Sequence, residues 1–357
     1  MLDIVEERSE IERQVRDIIV AMPKTELHLH LDGSLRLETI ADLARLQRIE
    51  LPVPPERLAE VCVVSGNCRS LVQFLGYFEL PLSVLQTPDA LERVTYELCE
   101  DLATEKVRYV EIRFGPSLHR MRGMDLPEII DAVVRGWRRG QQEFDLTGGV
   151  LLSALRHLPP EETLAVARAG LPFLGHGVVG FDLAGDEAHF PVLVHESALL
   201  WARDAGYGMT VHAGEAAGAQ SVRDAVEVIG VSRVGHGVRS EEDPSLLPVL
   251  RERRITLDMC PTSNVQTRAV KDLVAHPMGR LHRAGIRVTA STDSRTVSDT
   301  TVTQELLTIY GSMGLGLSDL MVLQLNAIEA GFADVKERAT LLQHYRDEFA
   351  ALGLHLQ

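Results

Sequence analysis

The chain is poor in cysteine. Its 357 residues hold four, Cys62, Cys68, Cys99 and Cys260, and no two form a CxxC pair. Such sparse use argues against a disulfide framework and fits a reducing compartment. The chain also lacks an excess of positive charge. Lys and Arg number 36 against 51 Asp and Glu, a formal net charge of -15. That balance disfavours nucleic-acid backbones and anionic membranes as partners. No apolar run approaches the roughly 18 residues of a transmembrane helix. Residues 1–16 lack the basic-then-apolar pattern of a secretory signal. The expectation is a soluble, cytoplasmic protein. No GxGxxG or Walker loop follows an early strand, and no linker divides the chain.

What is present is a core and a rhythm. Apolar residues make up 45% of the chain, which supports a sizeable interior. Residues 2–22 carry Ile4, Val5, Ile11, Val15, Ile18 and Ile19 among Glu and Arg, a spacing that suits an amphipathic helix packed on a body elsewhere. Pro23 ends it, and residues 25–33 alternate as a strand that stops at Gly33. Residues 37–106 read as a long helical insertion, broken at 51–55 and 65–67. A second strand is predicted at 107–114. Short strands then follow at 149–155, 178–183, 209–213, 233–237, 255–260 and 286–293. Helices separate them near 126–145, 160–169, 191–205, 221–229, 244–253 and 276–284. From residue 317 the chain is helical again. Alternating β and α implies a parallel sheet. Eight repeats point to a closed α/β barrel, the (β/α)8 TIM fold, forming one domain over residues 1–357 with an extra N-terminal helix, the insertion after strand one and C-terminal helices. An open doubly wound sheet would want the glycine-rich phosphate loop that is missing.

In a parallel barrel the chemistry sits where strands end. Here polar and ionisable groups recur at nearly every such end, and burying them unpaired costs several kcal/mol. In a strand, residues two apart share a face. His28 and His30 would project side by side with leucines behind them, a good half of a metal site. His212 and Asp293 end the fifth and eighth strands. Three imidazoles and one carboxylate suit zinc with a water in the remaining position. Glu215, three residues past His212, is suited to be a general acid. His236 is placed to orient the attacking water or take its proton. Each residue alone also has a structural reading: His28 and His30 on a surface strand, Glu215 at a helix N-terminus, His236 bonded to backbone in a core. Their joint occurrence at successive strand ends favours the chemical one.

The segments MPKTELHLHLDG, VEIRFGPS, DLAGDE, HAGE, VGHG, CPTSN and STD occur in this order from Pro23 to the end of the last strand. Together they resemble the adenosine deaminase family of the amidohydrolase superfamily. The resemblance implies a zinc-dependent (β/α)8 hydrolase of purine metabolism. It would hold one zinc ion per chain and replace the exocyclic amine of a 6-aminopurine nucleoside with oxygen. Carried onto this sequence, it implies zinc ligands at His28, His30, His212 and Asp293. Glu215 would protonate ring nitrogen N1, and His236 would assist the hydroxide that attacks C6. Gly185 would offer its N–H to N3, and Asp32 would reach the ribose 5′-hydroxyl. Residues 70–78 resemble an apolar gate with Phe74 and Phe78 facing the nucleoside, although plain helix packing explains that stripe equally well. Where the family usually has a second aspartate after the eighth strand, this chain has Ser294, which can hydrogen-bond N7 but carries no charge.

Adenosine and 2′-deoxyadenosine are therefore the expected substrates. A related deaminase acting on adenine or 6-amino-6-deoxyfutalosine is the alternative, kept open by Ser294. A binuclear relative would need a lysine ending the fourth or fifth strand, where Asp182 and His212 stand. A non-catalytic nucleoside-binding barrel would be favoured by loss of a ligand, Glu215 or His236, and all are present. The HxE and PCxxC signatures of the base-flipping zinc deaminases are absent. Oligomeric state is open.

Overall fold

The computed structural model describes residues 2–355, with side chains from residue 12 onward. Eight strands form one sheet in sequence order. They are β1 Lys24–His30, β2 Val107–Phe114, β3 Thr147–Leu155, β4 Val178–Ala184, β5 Gly208–Ala213, β6 Arg233–His236, β7 Thr256–Met259 and β8 Arg287–Ala290. Each pairs in parallel with the next. A bridge between Leu29 and Asp293 joins the first strand to the segment after the last. The Asp293 N–H donates to His28 O at 2.9 Å, and the His30 N–H donates to Asp293 O at 2.6 Å. The expected TIM barrel is present.

Alternation along β2 shows why these residues make this wall. Val110, Ile112 and Phe114 are fully buried on one face, as are Tyr109, Glu111 and Arg113 on the other. The second set belongs to a column of charge inside the barrel. Arg233 pairs with Glu111 and, at 2.7 Å, with Asp258. Arg113 lies 3.9 Å from Asp258 and 3.3 Å from Asp182. The Tyr109 hydroxyl donates to Glu111 at 2.7 Å, and Ser153 donates to Asp182 at 2.9 Å. Barrel interiors are dominated by branched apolar side chains. This one alternates cations and anions up to the end that carries the histidines.

Several boundaries differ from the sequence expectation. β1 ends at His30, because Leu31–Gly33 turns into a short 3-10 segment. Its pairing with β2 skips a residue between Glu26 and Leu29, a bulge beside His28. β8 stops at Ala290, and Asp293 stands beyond it with φ 65°. The helix after β5 splits into Ala219–Asp224 and a π turn at Ala225–Ile229. The insertion resolves into helices Leu37–Gln47, Ala59–Cys62, Leu71–Gly76, Glu79–Val84 and Pro88–Thr104. Helix Leu2–Ala21 buries Ile19 in the main core with Val15 and Ile18 packed beside it, while the side chains of Ile4, Val5 and Ile11 lie outside the described residues. The C-terminal helix Val335–Ala351 buries Tyr345 and Phe349, and the Tyr345 hydroxyl donates to Lys24 O at the start of β1. No helix among the described residues is long and apolar enough to cross a membrane.

Helix Val302–Ser312 carries a buried acid, Glu305, which accepts from the Thr300 hydroxyl at 2.7 Å and the Thr262 N–H at 3.2 Å. Burial raises its pKa from 4.5 to about 7. The folded state therefore keeps a proton that the unfolded state releases. The stability linked to this group is complete below pH 4.5 and is lost as pH rises through about 7. Glu305→Gln, neutral at every pH, should flatten the fall in Tm between pH 5 and 8. The difference from the parent should reach about 3 kcal/mol at most. Thermal melts across that range test it, and parallel curves for both proteins would refute it.

Candidate active site

The ends of β1, β5 and β8 converge on one point. His28 Nε2 lies 3.0 Å from His212 Nε2, and His30 Nε2 lies 3.1 Å from it. Asp293 Oδ1 stands 3.6 Å from His28 Nε2 and 3.4 Å from His30 Nε2. Partners behind these groups fix their polarity. Asp182 Oδ1 is 3.1 Å from His212 Nδ1, so His212 carries its proton there and turns a lone pair to the centre. Ser263 donates to Asp293 Oδ2 at 2.5 Å, which leaves Oδ1 facing the imidazoles. Burial holds His28 and His30 well below the usual histidine pKa, hence neutral.

Nε2 of three imidazoles and a carboxylate oxygen, gathered this closely, form a donor set of the kind that holds a divalent cation. A tetrahedron with zinc–nitrogen arms of ~2.0–2.1 Å has edges of about 3.3–3.4 Å, close to the separations seen. His236 also has a ring nitrogen within 4.8 Å of donors on His28, His212 and Asp293. It is the weaker choice of ligand. Its Nδ1 is 2.9 Å from Asn264 Nδ2 and its Nε2 is 3.4 Å from Glu215 Oε2, so both nitrogens are otherwise engaged.

Gly235 makes room for this cluster. A Cβ there would stand 2.8 Å from His28 Cε1. His236 itself has φ 64°, a left-handed conformation shared with Asp293. Neither is glycine, and such backbone costs of order 1–3 kcal/mol and concentrates at functional sites.

Glu215 sits on the loop after β5, 4% exposed, with no hydrogen-bond partner on Oε1. Burial, then the neighbouring Asp293 and Glu187, push its pKa well above the ordinary carboxyl value. Glu187 holds the loop itself. One of its carboxylate oxygens accepts from the Gly214 N–H at 2.7 Å. The other accepts from the N–H groups of Glu215, Ala216 and Ala217 at 3.0, 2.7 and 3.0 Å.

These groups open onto a cavity of about 180 Å³ lined by His30, His212, Glu215, His236 and Asp293 on one side. Asp32, Gly185, Phe74 and Phe78 also line it. Asp32 is buried, and its Oδ1 has no partner. Burial raises its pKa to about 6. Gly185 has φ 107°, a backbone closed to side chains with a Cβ. The rings of Phe74 and Phe78, 5.9 Å apart, belong to a small apolar cluster with Leu71 and Val297 over the cavity. They pack and they form wall, which joins the two readings of that stripe. Ser294 lies apart. It is fully buried behind the wall, and its unpartnered Oγ would be 2.5 Å from a Cβ on Gly33.

A parallel barrel with a buried three-histidine, one-carboxylate cluster at its strand ends, beside a buried acid of raised pKa on the wall of one cavity, defines a metal-dependent hydrolase barrel. Comparison narrows the class. The adenosine deaminase family model matches residues 23–347, and the chain belongs to that family. It is thus an aminohydrolase by kinship. An adenosine deaminase from Clostridium perfringens (strain SM101 / Type A) is 40% identical over 326 residues, 90% of this chain and 98% of that one. The crystal structure of an adenine deaminase from Arthrobacter aurescens superposes with a TM-score of 0.85 at 28% identity, covering 92% of this chain and 99% of that one. A Burkhoderia ambifaria amidohydrolase with bound Zn matches with a TM-score of 0.86 at 26% identity, covering 95% and 93%.

The structure brings all eleven predicted site residues except Ser294 to the cavity or its donor cluster. It adds Asp182, Glu187, Ser263, Asn264 and His276, which the sequence reading left without roles. The first four lie inside the DLAGDE and CPTSN segments, so the signal was their place in a motif. His276 has no such signal. Gly235→Ala should push the His28 ring aside and weaken divalent-metal binding by about 10–100-fold, as loss of a supporting group does. Competition against a chelating dye measures this, with circular dichroism confirming the fold. Unchanged affinity would show that the His28 ring has room to spare.

Proposed function

We propose that the protein is a zinc-dependent deaminase of 6-aminopurine nucleosides, converting adenosine and 2′-deoxyadenosine to the inosine products and ammonia. The observation that carries this reading is Glu215, a buried acid held protonated within the same cavity as the donor cluster. Among the described residues, that cavity has no Lys or Arg in its wall. It offers instead the open acceptor of Asp32. A nucleoside hydroxyl suits such an acceptor, whereas a 5′-phosphate would meet a carboxylate with no cation to balance it. This favours a nucleoside over a nucleotide, and the Asp32 acceptor has no task with a free base.

His28, His30, His212 and Asp293 would hold the zinc. When bound, it supplies a water whose pKa is lowered towards ~7. The side chains divide the remaining work. Protonated Glu215 gives its proton to ring nitrogen N1, which draws electrons from C6. His236 orients the oxygen nucleophile at C6. The C6 centre becomes tetrahedral, the C–N bond breaks as the C6 carbonyl forms, one proton of the water leaves with the amine as ammonia, and the other returns Glu215 to its acid form. Gly185 receives the purine edge with its backbone, and Asp32 binds the sugar hydroxyl. Phe74 and Phe78 cover the ring and exclude water. Ser294 supports the wall beside Gly33.

The whole chain would work as one domain in the cytoplasm, with neither nucleic acid nor membrane as a partner. Buried free thiols at Cys62, Cys68, Cys99 and Cys260 fit that compartment.

Purified protein should contain about one zinc per chain by elemental analysis. A panel of adenosine, 2′-deoxyadenosine, adenine, AMP and aminodeoxyfutalosine, followed by ultraviolet absorbance, should give the highest kcat/KM for the first two. A preference for adenine or aminodeoxyfutalosine would move the assignment to that substrate. Glu215→Gln should keep its zinc and lose about 10²–10⁴-fold in kcat. A variant as fast as the parent would remove Glu215 from the proton path.

A further inference from the structure

Behind His236 runs a chain of hydrogen bonds whose direction the backbone fixes. The Met278 N–H donates to His276 Nδ1 at 3.2 Å. A backbone N–H can only donate, so Nδ1 is the bare nitrogen and the proton of a neutral His276 sits on Nε2. That Nε2 lies 3.2 Å from Asn264 Oδ1. The same oxygen accepts from the Cys260 N–H at 3.3 Å. With two donors aimed at it, this atom of Asn264 is the carbonyl oxygen, and the other is the amide nitrogen. Asn264 Nδ2 therefore donates to His236 Nδ1 at 2.9 Å. The three side chains are buried, at 0–2% exposure, where hydrogen bonds are electrostatically stronger than in water.

We infer that Asn264, steadied by His276, holds neutral His236 as the tautomer with its proton on Nε2. His236 then meets the oxygen nucleophile as a hydrogen-bond donor and orients its lone pair, rather than removing its proton. The same bond keeps His236 out of the donor cluster. Its ring centre is 4.5 Å from that of His28 and 5.2 Å from that of His212, near enough to compete for a cation if Nε2 were bare. Asn264 and His276 are positioning residues. They act through His236 and do not line the cavity. The inference deepens the deaminase reading and rests on it for the role of His236, but the proton position can be measured without turnover.

The test is long-range 15N–1H correlation spectroscopy on the full chain labelled at histidine nitrogens, with His236→Asn used to identify the His236 signals. The parent should show a protonated Nε2 and a bare Nδ1 on His236. Asn264→Asp replaces the amide donor with an acceptor. It should move the proton to Nδ1 and lower kcat by about 10–100-fold, with KM little changed and zinc content intact. A parent spectrum with the proton on Nδ1 overturns the inference, whether or not Asn264→Asp folds. An Asn264→Asp protein whose His236 keeps its Nε2 proton overturns it as well. A parent that shows the Nε2 proton but deaminates none of the purines sinks the functional reading alone.

Discussion

Two backbone hydrogen bonds between β1 and the segment after β8 do more than close the barrel. The Asp293 N–H reaches His28 O, and the His30 N–H reaches Asp293 O. The same pair of bonds sets His28, His30 and Asp293 side by side. Three of the four proposed metal donors are thus placed by main-chain geometry that the fold requires for closure. His212 completes the set from β5. Asp293 pays for this position with a left-handed φ of 65°, which the bridge to Leu29 holds in place. Ring closure and site assembly are one event. A change that slipped the β1–β8 register would lose both together.

Electrostatics then gives each group its protonation state. The column of Glu111, Arg233, Asp258, Arg113 and Asp182 carries charge up the barrel axis to His212. Asp182, beside Arg113 and His212, is held well below the usual carboxylate range despite complete burial. It stays ionised and fixes the His212 tautomer. Glu215, on the same rim, is buried with the carboxylates of Asp293 and Glu187 nearby, and these outweigh the opposing pull of Arg156 and push its pKa well above the ordinary carboxyl value. Two buried acids at the same barrel rim are driven in opposite directions by their neighbours. This separation is what acid–base chemistry at neutral pH requires. Sequence spacing cannot supply it, because the decisive neighbours come from other strands.

The barrel was legible in the sequence because each strand is a short apolar run followed by a helical pattern, and no phosphate loop supports the open-sheet alternative. The donor residues were legible because strand ends in a parallel barrel share one face, so His28, His212 and Asp293 must meet although 265 positions separate the first from the last. What escaped depends on side chains that reach across elements. Asp258 and Arg113 read as ordinary strand positions, since an inward charge looks the same in sequence whether paired or not. His276 read as a helix start, and its bond to Asn264 depends on the fold of the loop between them. Strand ends were misplaced where the backbone turns for a side chain's sake, at Leu31 and at Asp293. Local pattern predicts regular structure and is silent where tertiary bonds override it.

Ser294 shows how a departure from the family pattern can be read physically. A carboxylate at this place would have to point into the cavity, since against Gly33 and Phe78 it would be buried with no partner. Serine accepts the buried position because its hydroxyl is small and neutral. Its Oγ lies one atom beyond Cβ and is directed at Gly33, away from the cavity wall. In the proposed function, polar recognition of a purine would then fall to Glu215, His236 and the backbone at Gly185, with Asp32 at the sugar end. Without a second aspartate the negative charge near the cluster is smaller, and Asp293 alone carries it on that side. A less negative rim raises Glu215's pKa less. Glu187 both adds charge beside Glu215 and gathers the loop's N–H groups. Burial, then Asp293 and Glu187 together, raise the Glu215 pKa.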